Sequence, residues 1–398
     1  MIPRLSPSFD LADLRALVAG PGDGQDVAAF EQALAAYSGR RHALVFPMGR
    51  SGLYALIKVM AWRDREIVLP AYTCAVVANT VLATGNRPRF VDIELGDLNM
   101  RPQGVADALS PDTAAVLATH LYGFPMDLDG LARAIGDRDD VVVIHDCALA
   151  LGARYQGRPV WRDGLAALFS FSIGKHMSSV EGGAMVMDDP ALYREMRDFR
   201  DRNFRPPALS RTLSQAALFV AAWLGLTPFV YPLVHRLTSR TRLLDFLTKY
   251  YAEDRVVMPP HLLEMMPAGL ARLGLAQLGR VEKLIERRVE AARFFVRNGA
   301  AGLTWPRPRD GASYSHCPCL VEDRARFESF MARRGIHVGK EVFDYSLPEM
   351  PLFATAGTSD YPNARRAARQ IALIPNHPRL RERDRVRIAE ALTDWGRG

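Results

Sequence analysis

Phe169-Ser-Phe-Ser-Ile-Gly-Lys-His-Met-Ser-Ser-Val-Glu-Gly-Gly-Ala-Met-Val186 is the stretch that decides how this chain is read. A short apolar strand delivers Lys175 into a Ser/Gly-rich turn, and Gly182-Gly183 leads into a second apolar strand. Glycines allow close backbone approach, and small side chains leave room around one amine. A lysine kept in such a pocket can attack a carbonyl. Alone the pattern is weak, because most loop lysines are solvated surface residues.

The preceding strand strengthens it. Val141-Val-Val-Ile144 is a continuous β-branched run of the kind found in buried parallel strands, and it ends in His145-Asp146-Cys147. Ligands of open α/β sheets sit beyond the carboxyl ends of such strands. An acid there, about thirty residues before a pocket lysine, is what a pyridoxal phosphate site requires. The carboxylate keeps the pyridine nitrogen protonated, and the lysine holds the aldehyde as a Schiff base.

At these residues the chain resembles the DegT/StrS-type sugar aminotransferases, a branch of the fold-type I pyridoxal phosphate enzymes. Three segments carry the resemblance in family order: Asp146-Cys-Ala-Leu-Ala-Leu-Gly152, Ser170-Phe-Ser-Ile-Gly-Lys175 and Val180-Glu-Gly-Gly183. It implies an α/β fold: a three-layer large domain with a mostly parallel sheet, plus a smaller C-terminal α/β domain. It also implies Lys175 as the Schiff-base lysine, Asp146 as the partner of the ring nitrogen, and Ser170 on the cofactor phosphate. The turn Ser51-Gly52-Leu53 follows the strand Ala43–Phe46 and opens a helix, an arrangement that presents N–H groups to phosphate. In the family this turn reads Ser-Gly-Thr, so Leu53 lacks a hydroxyl. Cys74 stands where the family places a ring-stacking side chain, which leaves Tyr72 as the candidate to stack. Leu149 replaces a glutamine near the ring hydroxyl. Glu181 and His176 are weaker substrate-side candidates. Leu263-Glu264-Met265 stands where the family has an Asn-Tyr-Arg-like segment that reaches the neighbouring subunit's cofactor phosphate. The implied assembly is a homodimer. The implied partners are glutamate or glutamine as amino donor and a keto-sugar as acceptor.

Composition bounds the alternatives. At 398 residues, with 48% hydrophobic and 24% charged side chains, the chain is a folded globular protein of two domains. A net charge of +7 points to acidic partners, namely nucleotide-sugar phosphates or an anionic membrane surface. Nucleic acid is not expected, since no recognised binding motif is present. The four cysteines form no disulfide framework, which fits a cytoplasmic protein, and residues 1–20 contain no secretory apolar region.

Taken in order, residues 1–38 read as an N-terminal helical arm with Phe30, Leu34 and Tyr37 on one face. Residues 39–265 form the large cofactor-binding domain, and 266–398 the linking helix and small domain. Strand and helix alternate over residues 40–190, as in a sheet covered on both faces. A nicotinamide-binding domain alternates likewise, yet no Gly-x-Gly-x-x-Gly follows the first strand. His120 reads as a hydrogen-bonded structural histidine. His316-Cys317-Pro-Cys319 does not have zinc spacing and reads as a strand, so no metal is expected.

An apolar insertion at 205–250 has no counterpart in the usual family pattern. Thr212 to Val234 runs without a charge, near the ~20 residues needed to cross a bilayer, but Pro228 and Pro232 interrupt it and basic residues flank it. The expectation is a monotopic hairpin on the cytoplasmic face of a membrane, with Trp223 and Tyr231 near the headgroups. The bland alternative is an element packed within the dimer. Two further alternatives concern activity: a cofactor-binding regulator or scaffold without turnover, and a sugar dehydratase. The dehydratase branch carries histidine in place of the lysine.

Overall fold

The computed structural model describes residues 1–20, 24–240, 252, 254–298, 302–340, 345–353 and 360–397; the expected insertion residues 241–250, Arg242 among them, lie outside these. The chain opens with α1 (Leu11–Val18) and α2 (Gly24–Ser38). The large domain then alternates β1 (His42–Phe46), α3 (Gly49–Val59), β2 (Glu66–Pro70), α4 (Ala75–Ala83), β3 (Arg87–Val91), α5 (Pro102–Ala108), β4 (Thr113–Thr119), α6 (Leu128–Ile135) and β5 (Val142–Asp146). A small hairpin, β6 (Arg154–Tyr155) and β7 (Arg158–Pro159), precedes β8 (Ala166–Ser170), β9 (Gly183–Met187) and α7 (Pro190–Asn203).

Seven of these strands form one sheet in the order β1-β9-β8-β5-β4-β2-β3. The links among β3, β2, β4, β5 and β8 are parallel, while β9 runs antiparallel to both β8 and β1. The mostly parallel sheet expected from the alternation is therefore present. All seven residues of β4 are buried, as expected for a central strand covered on both faces. α7 begins at Asp189, whose carboxylate accepts the Ala191 and Leu192 N–H groups, and Pro190 supplies the pre-set first turn.

The N-terminal helices are packed down on this domain. Phe30 and Leu34 are fully buried, and the Phe30 ring lies 5.4 Å from that of Phe171 in the lysine-bearing stretch. Burying each such side chain contributes about 2 kcal/mol. α1 is closed by a reciprocal cap between Asp10 and Asp13, and Arg280 pairs with both carboxylates.

After α7 the chain forms a helical hairpin, α8 (Leu209–Gly225) and α9 (Tyr231–Arg240). No helix among the described residues is long and apolar enough to cross a membrane. The bend falls near the prolines, as expected, but of the expected headgroup residues Tyr231 is turned inward and Trp223 is half-buried. Tyr231 is buried, with its hydroxyl 2.5 Å from His337 Nδ1, and Trp223 packs on Phe219 at 5.9 Å. His337 of the small domain claims the Tyr231 ring, while Trp223 lies one turn from Phe219 on its own helix.

The linking helices are α10 (Ala268–Leu278) and α11 (Val281–Arg297). The small domain has β10 (Cys317–Leu320), α12 (Arg324–Arg333), α13 (Pro362–Gln370), β11 (Ile371–Ile374) and α14 (Glu382–Trp395). β10 and β11 pair antiparallel beside a core of Phe295, Phe327, Met331, Ile388 and Leu392. Cys317 and Cys319 lie fully buried in the strand, and burial pushes both thiols up. Among the described residues no cluster of histidine, cysteine and carboxylate side chains could hold a metal.

Candidate active site

Lys175 sits in the connection between β8 and β9, which continues as a ladder beyond the strands. Phe171 N–H donates to Gly182 O at 2.9 Å, Ser179 N–H to Phe171 O at 2.9 Å, and Ile173 N–H to Val180 O at 3.2 Å. Gly174, with φ +97°, turns the chain immediately before the lysine in a backbone conformation that disfavours side chains. Ser170 and Ser172 face each other with their hydroxyls 3.2 Å apart. The lysine side chain is half-buried.

The turn after β1 lies against the base of that ladder. A Cβ on Gly183 would stand 2.2 Å from the Gly49 nitrogen, so backbone meets backbone at the start of α3. Two residues on, Ser51 is fully buried, and its hydroxyl has no hydrogen-bond partner among the described residues. A buried, unpartnered hydroxyl in the first turn of an eleven-residue helix fits an anion. Gly52 is equally buried, whereas Leu53 points into the core and offers no polar group.

Asp146 ends β5, between Thr119 of β4 and Leu168 of β8. It is buried, and its Oδ1 accepts the Ala148 N–H at 3.0 Å. Burial raises its pKa, while the Ala148 N–H and the charge of Lys175 lower it. A cation against this carboxylate would relieve the burial cost, which is the fit a protonated pyridine nitrogen needs. Beneath it, Met126 N–H donates to His120 Nδ1 at 3.1 Å, so His120 Nε2 carries the proton toward His145 Nδ1, also 3.1 Å away. Burial pushes both imidazoles down, His145 to about 4, and the neutral pair braces the strand ends as a structural unit.

The remaining expected residues fall into two groups. Cys74 is half-buried at the N-terminal end of α4, and Leu149 lies just below the surface after Asp146. Tyr72 is buried with its hydroxyl 3.0 Å from that of Tyr122. His176, expected on the substrate side, is buried with Nε2 3.1 Å from Ser313 O and joins the lysine turn to the small domain. Glu181 has its carboxylate engaged by α8: Arg211 pairs with it, and Gln215 Nε2 donates to it at 2.8 Å. Arg211 also lies 3.5 Å from Glu264, which is buried and bridged to Arg205 at 3.2 Å. The segment 263–265 thus turns its acid toward arginines of its own chain.

Arg288 was not visible as a site residue. It is buried on α11, donating from Nη1 to Ser315 O at 2.8 Å and from Nη2 to Lys175 O at 3.1 Å. Burial alone lowers its pKa to about 10. The sequence held one signal: Val281, Leu284, Arg288, Ala291 and Phe295 share the buried face of the helix.

The sequence model of the DegT/DnrJ/EryC1/StrS aminotransferase family matches residues 18–223 and 264–393. The chain belongs to this family. It is therefore a pyridoxal phosphate-dependent aminotransferase, and its buried Ser51 hydroxyl and Asp146 carboxylate suit that cofactor. The fold matches the sugar aminotransferase CalS13 from Micromonospora echinospora at 23% identity and TM-score 0.74, covering 99% of this chain and 100% of that one. It matches Helicobacter pylori PseC, an aminotransferase involved in pseudoaminic acid biosynthesis, at 21% identity and TM-score 0.77, covering 98% of each chain. It is equally similar to the E. coli GDP-4-keto-6-deoxy-D-mannose-3-dehydratase with bound hydrated PLP, at 19% identity and TM-score 0.77, covering 99% of each chain.

Proposed function

We propose that this enzyme moves an amino group from glutamate or glutamine to a keto-sugar carried on a nucleotide or on a membrane lipid. The observation that carries the reading is the pairing of a buried strand-end carboxylate, Asp146, with a lysine near enough for its charge to favour ionisation of that carboxylate. Pyridoxal phosphate supplies the electron sink that stabilises negative charge at the reacting carbon. Ser51, Gly52 and Ser170 are assigned to its phosphate, Asp146 to its ring nitrogen, and Lys175 to its aldehyde. With the cofactor bound, Lys175 Nζ would be the group that removes a proton at one carbon and returns it at another. Gly174 and the Arg288 contact fix the backbone from which that amine swings.

The apolar Leu53, Cys74 and Leu149 and the salt-bridged Glu264 support an acceptor unlike the commonest nucleotide sugars, in a homodimer of the cytoplasm acting in surface polysaccharide or glycolipid synthesis. The dehydratase reading is favoured by fold similarity alone, and Lys175 opposes it. A scaffold without turnover is opposed by the same lysine and by Asp146.

The test is a single-turnover half-reaction, followed by absorbance, on the cofactor-loaded enzyme. Glutamate or glutamine should convert the cofactor to its amine form with release of the matching keto acid. A cofactor-loaded enzyme inert to both donors overturns the reading.

A further inference from the structure

Eight of the thirteen exposed large hydrophobic side chains described lie in one 29-residue span, Leu209 to Leu237. On α8 they are Leu209, Leu213, Val220 and Leu224, which fall within about 60° of one another at 100° per residue. The opposite face of α8 carries the buried Gln215, Phe219 and Ala222. The stripe continues across the bend, where Phe229 is 88% exposed, and onto α9 through Leu233 and Leu237. The hairpin is fixed from behind, with the rings of Phe219 and Phe9 4.3 Å apart and Ser6 Oγ donating to Leu226 O at 3.2 Å. This apolar surface is therefore held outward by a packed inner face.

The family match stops at residue 223 and resumes at 264, so the bend and α9 lie outside the sequence pattern that the family shares. We infer that this outer face of the α8–α9 hairpin docks on an anionic lipid surface. Charge selects that occupant: Arg205 and Arg211 are engaged inward by Glu264 and Glu181, and the chain from Ser210 to Arg240 contributes Arg236 and Arg240 but no aspartate or glutamate to offset them. Exposed Arg236 lies between Leu233 and Leu237 in sequence, at the rim of the stripe. A second copy would set arginine-bearing faces against each other, whereas anionic headgroups complement them. Amphipathic helices with this division lie along the interface rather than crossing it. The base of α8 grips Glu181 through Arg211 and Gln215, so a docked enzyme keeps its lysine turn at a fixed place relative to the surface.

Flotation of the cofactor-loaded enzyme with vesicles tests this. It should float with phosphatidylcholine–phosphatidylglycerol vesicles, float less with phosphatidylcholine alone, and be weakened by salt. Phe229→Asp with Leu233→Asp, and separately Leu209→Asp with Leu213→Asp, should lower the bound fraction about tenfold or more while retaining the cofactor absorbance. Failure of the wild-type enzyme to float, or flotation of both variants equal to that of the wild type, overturns the proposal. So does a fall in oligomer size in either variant when the wild type does not float, because the face then joins two copies.

Discussion

Arg288 Nη2 donates to the carbonyl of Lys175 at 3.1 Å, and Nη1 donates to Ser315 O at 2.8 Å. One guanidinium on the linking helix thus holds the Lys175 turn to the segment entering the small domain. Its burial, with no carboxylate paired to it among the described residues, lowers its pKa to about 10, so the contact is kept against a desolvation cost.

Arg288→Met should therefore change stability little, within about 2 kcal/mol, because lost hydrogen bonds are offset by relief of that desolvation. Its effect should fall on lysine placement, slowing the donor half-reaction about tenfold or more, since small misplacements are costly. Arg288→Lys should not restore the rate, because an ammonium lacks the planar fork that spans two carbonyls. Stopped-flow rates and thermal melts separate the two effects.

Gly183→Ala should abolish cofactor retention, because a Cβ there lies 2.2 Å from the Gly49 nitrogen and forces the Ser51 turn away. Ser51→Ala is the milder change. It removes one buried hydroxyl, worth about 1 kcal/mol, and should weaken cofactor affinity roughly five- to tenfold without unfolding the protein. Equilibrium titration with pyridoxal phosphate measures both.

Asp146→Asn should make the cofactor-free protein slightly more stable near neutral pH, because the native carboxylate is buried with a raised pKa. The sign follows from linkage: a raised acid pKa weakens the fold as pH climbs past the unfolded value. The variant should gain less melting temperature on adding pyridoxal phosphate, and its half-reaction should slow about a hundredfold or more. A wild-type half-reaction rate in this variant would remove Asp146 from the ring nitrogen.

Acid should destabilise the protein before its surface carboxylates titrate. Burial holds His145 at about 4, and His337 and His377 at about 3, below the ordinary value of 6.5. The unfolded chain binds protons that these folded imidazoles refuse, so stability is full above 6.5 and falls as pH drops through the window. Asp97, pushed up to about 6, acts in the opposite direction but is outnumbered. The melting temperature should fall by about 5 °C from pH 7 to 5, and His337→Gln should flatten the slope. A flat profile would place these imidazoles in water.

What the sequence made legible was whatever local pattern controls. The alternation of buried strand and helix, the acid at the end of β5 and the lysine before Gly182-Gly183 are each set by residues near in sequence. Arg288 shares its helix face with apolar residues, yet a charge there reads as solvated until Ser315 and Lys175 are seen beside it. The Glu181–Arg211–Glu264 set was illegible, because it depends on residues 205 and 264 lying side by side as a bridge. The apolar run at 212–234 was visible, but which rings face outward was not. Phe9 and His337 decide that, by packing on Phe219 and Tyr231.

The most direct measurement is borohydride reduction of the cofactor-loaded enzyme followed by peptide mapping. The chain has only five lysines, at 58, 175, 249, 283 and 340, so the assignment is unambiguous. The pyridoxyl group should be found on Lys175, and Lys175→Ala should carry none and lack the near-visible absorbance band. A label on another lysine, or the same band in the alanine variant, would contradict the assignment of Lys175.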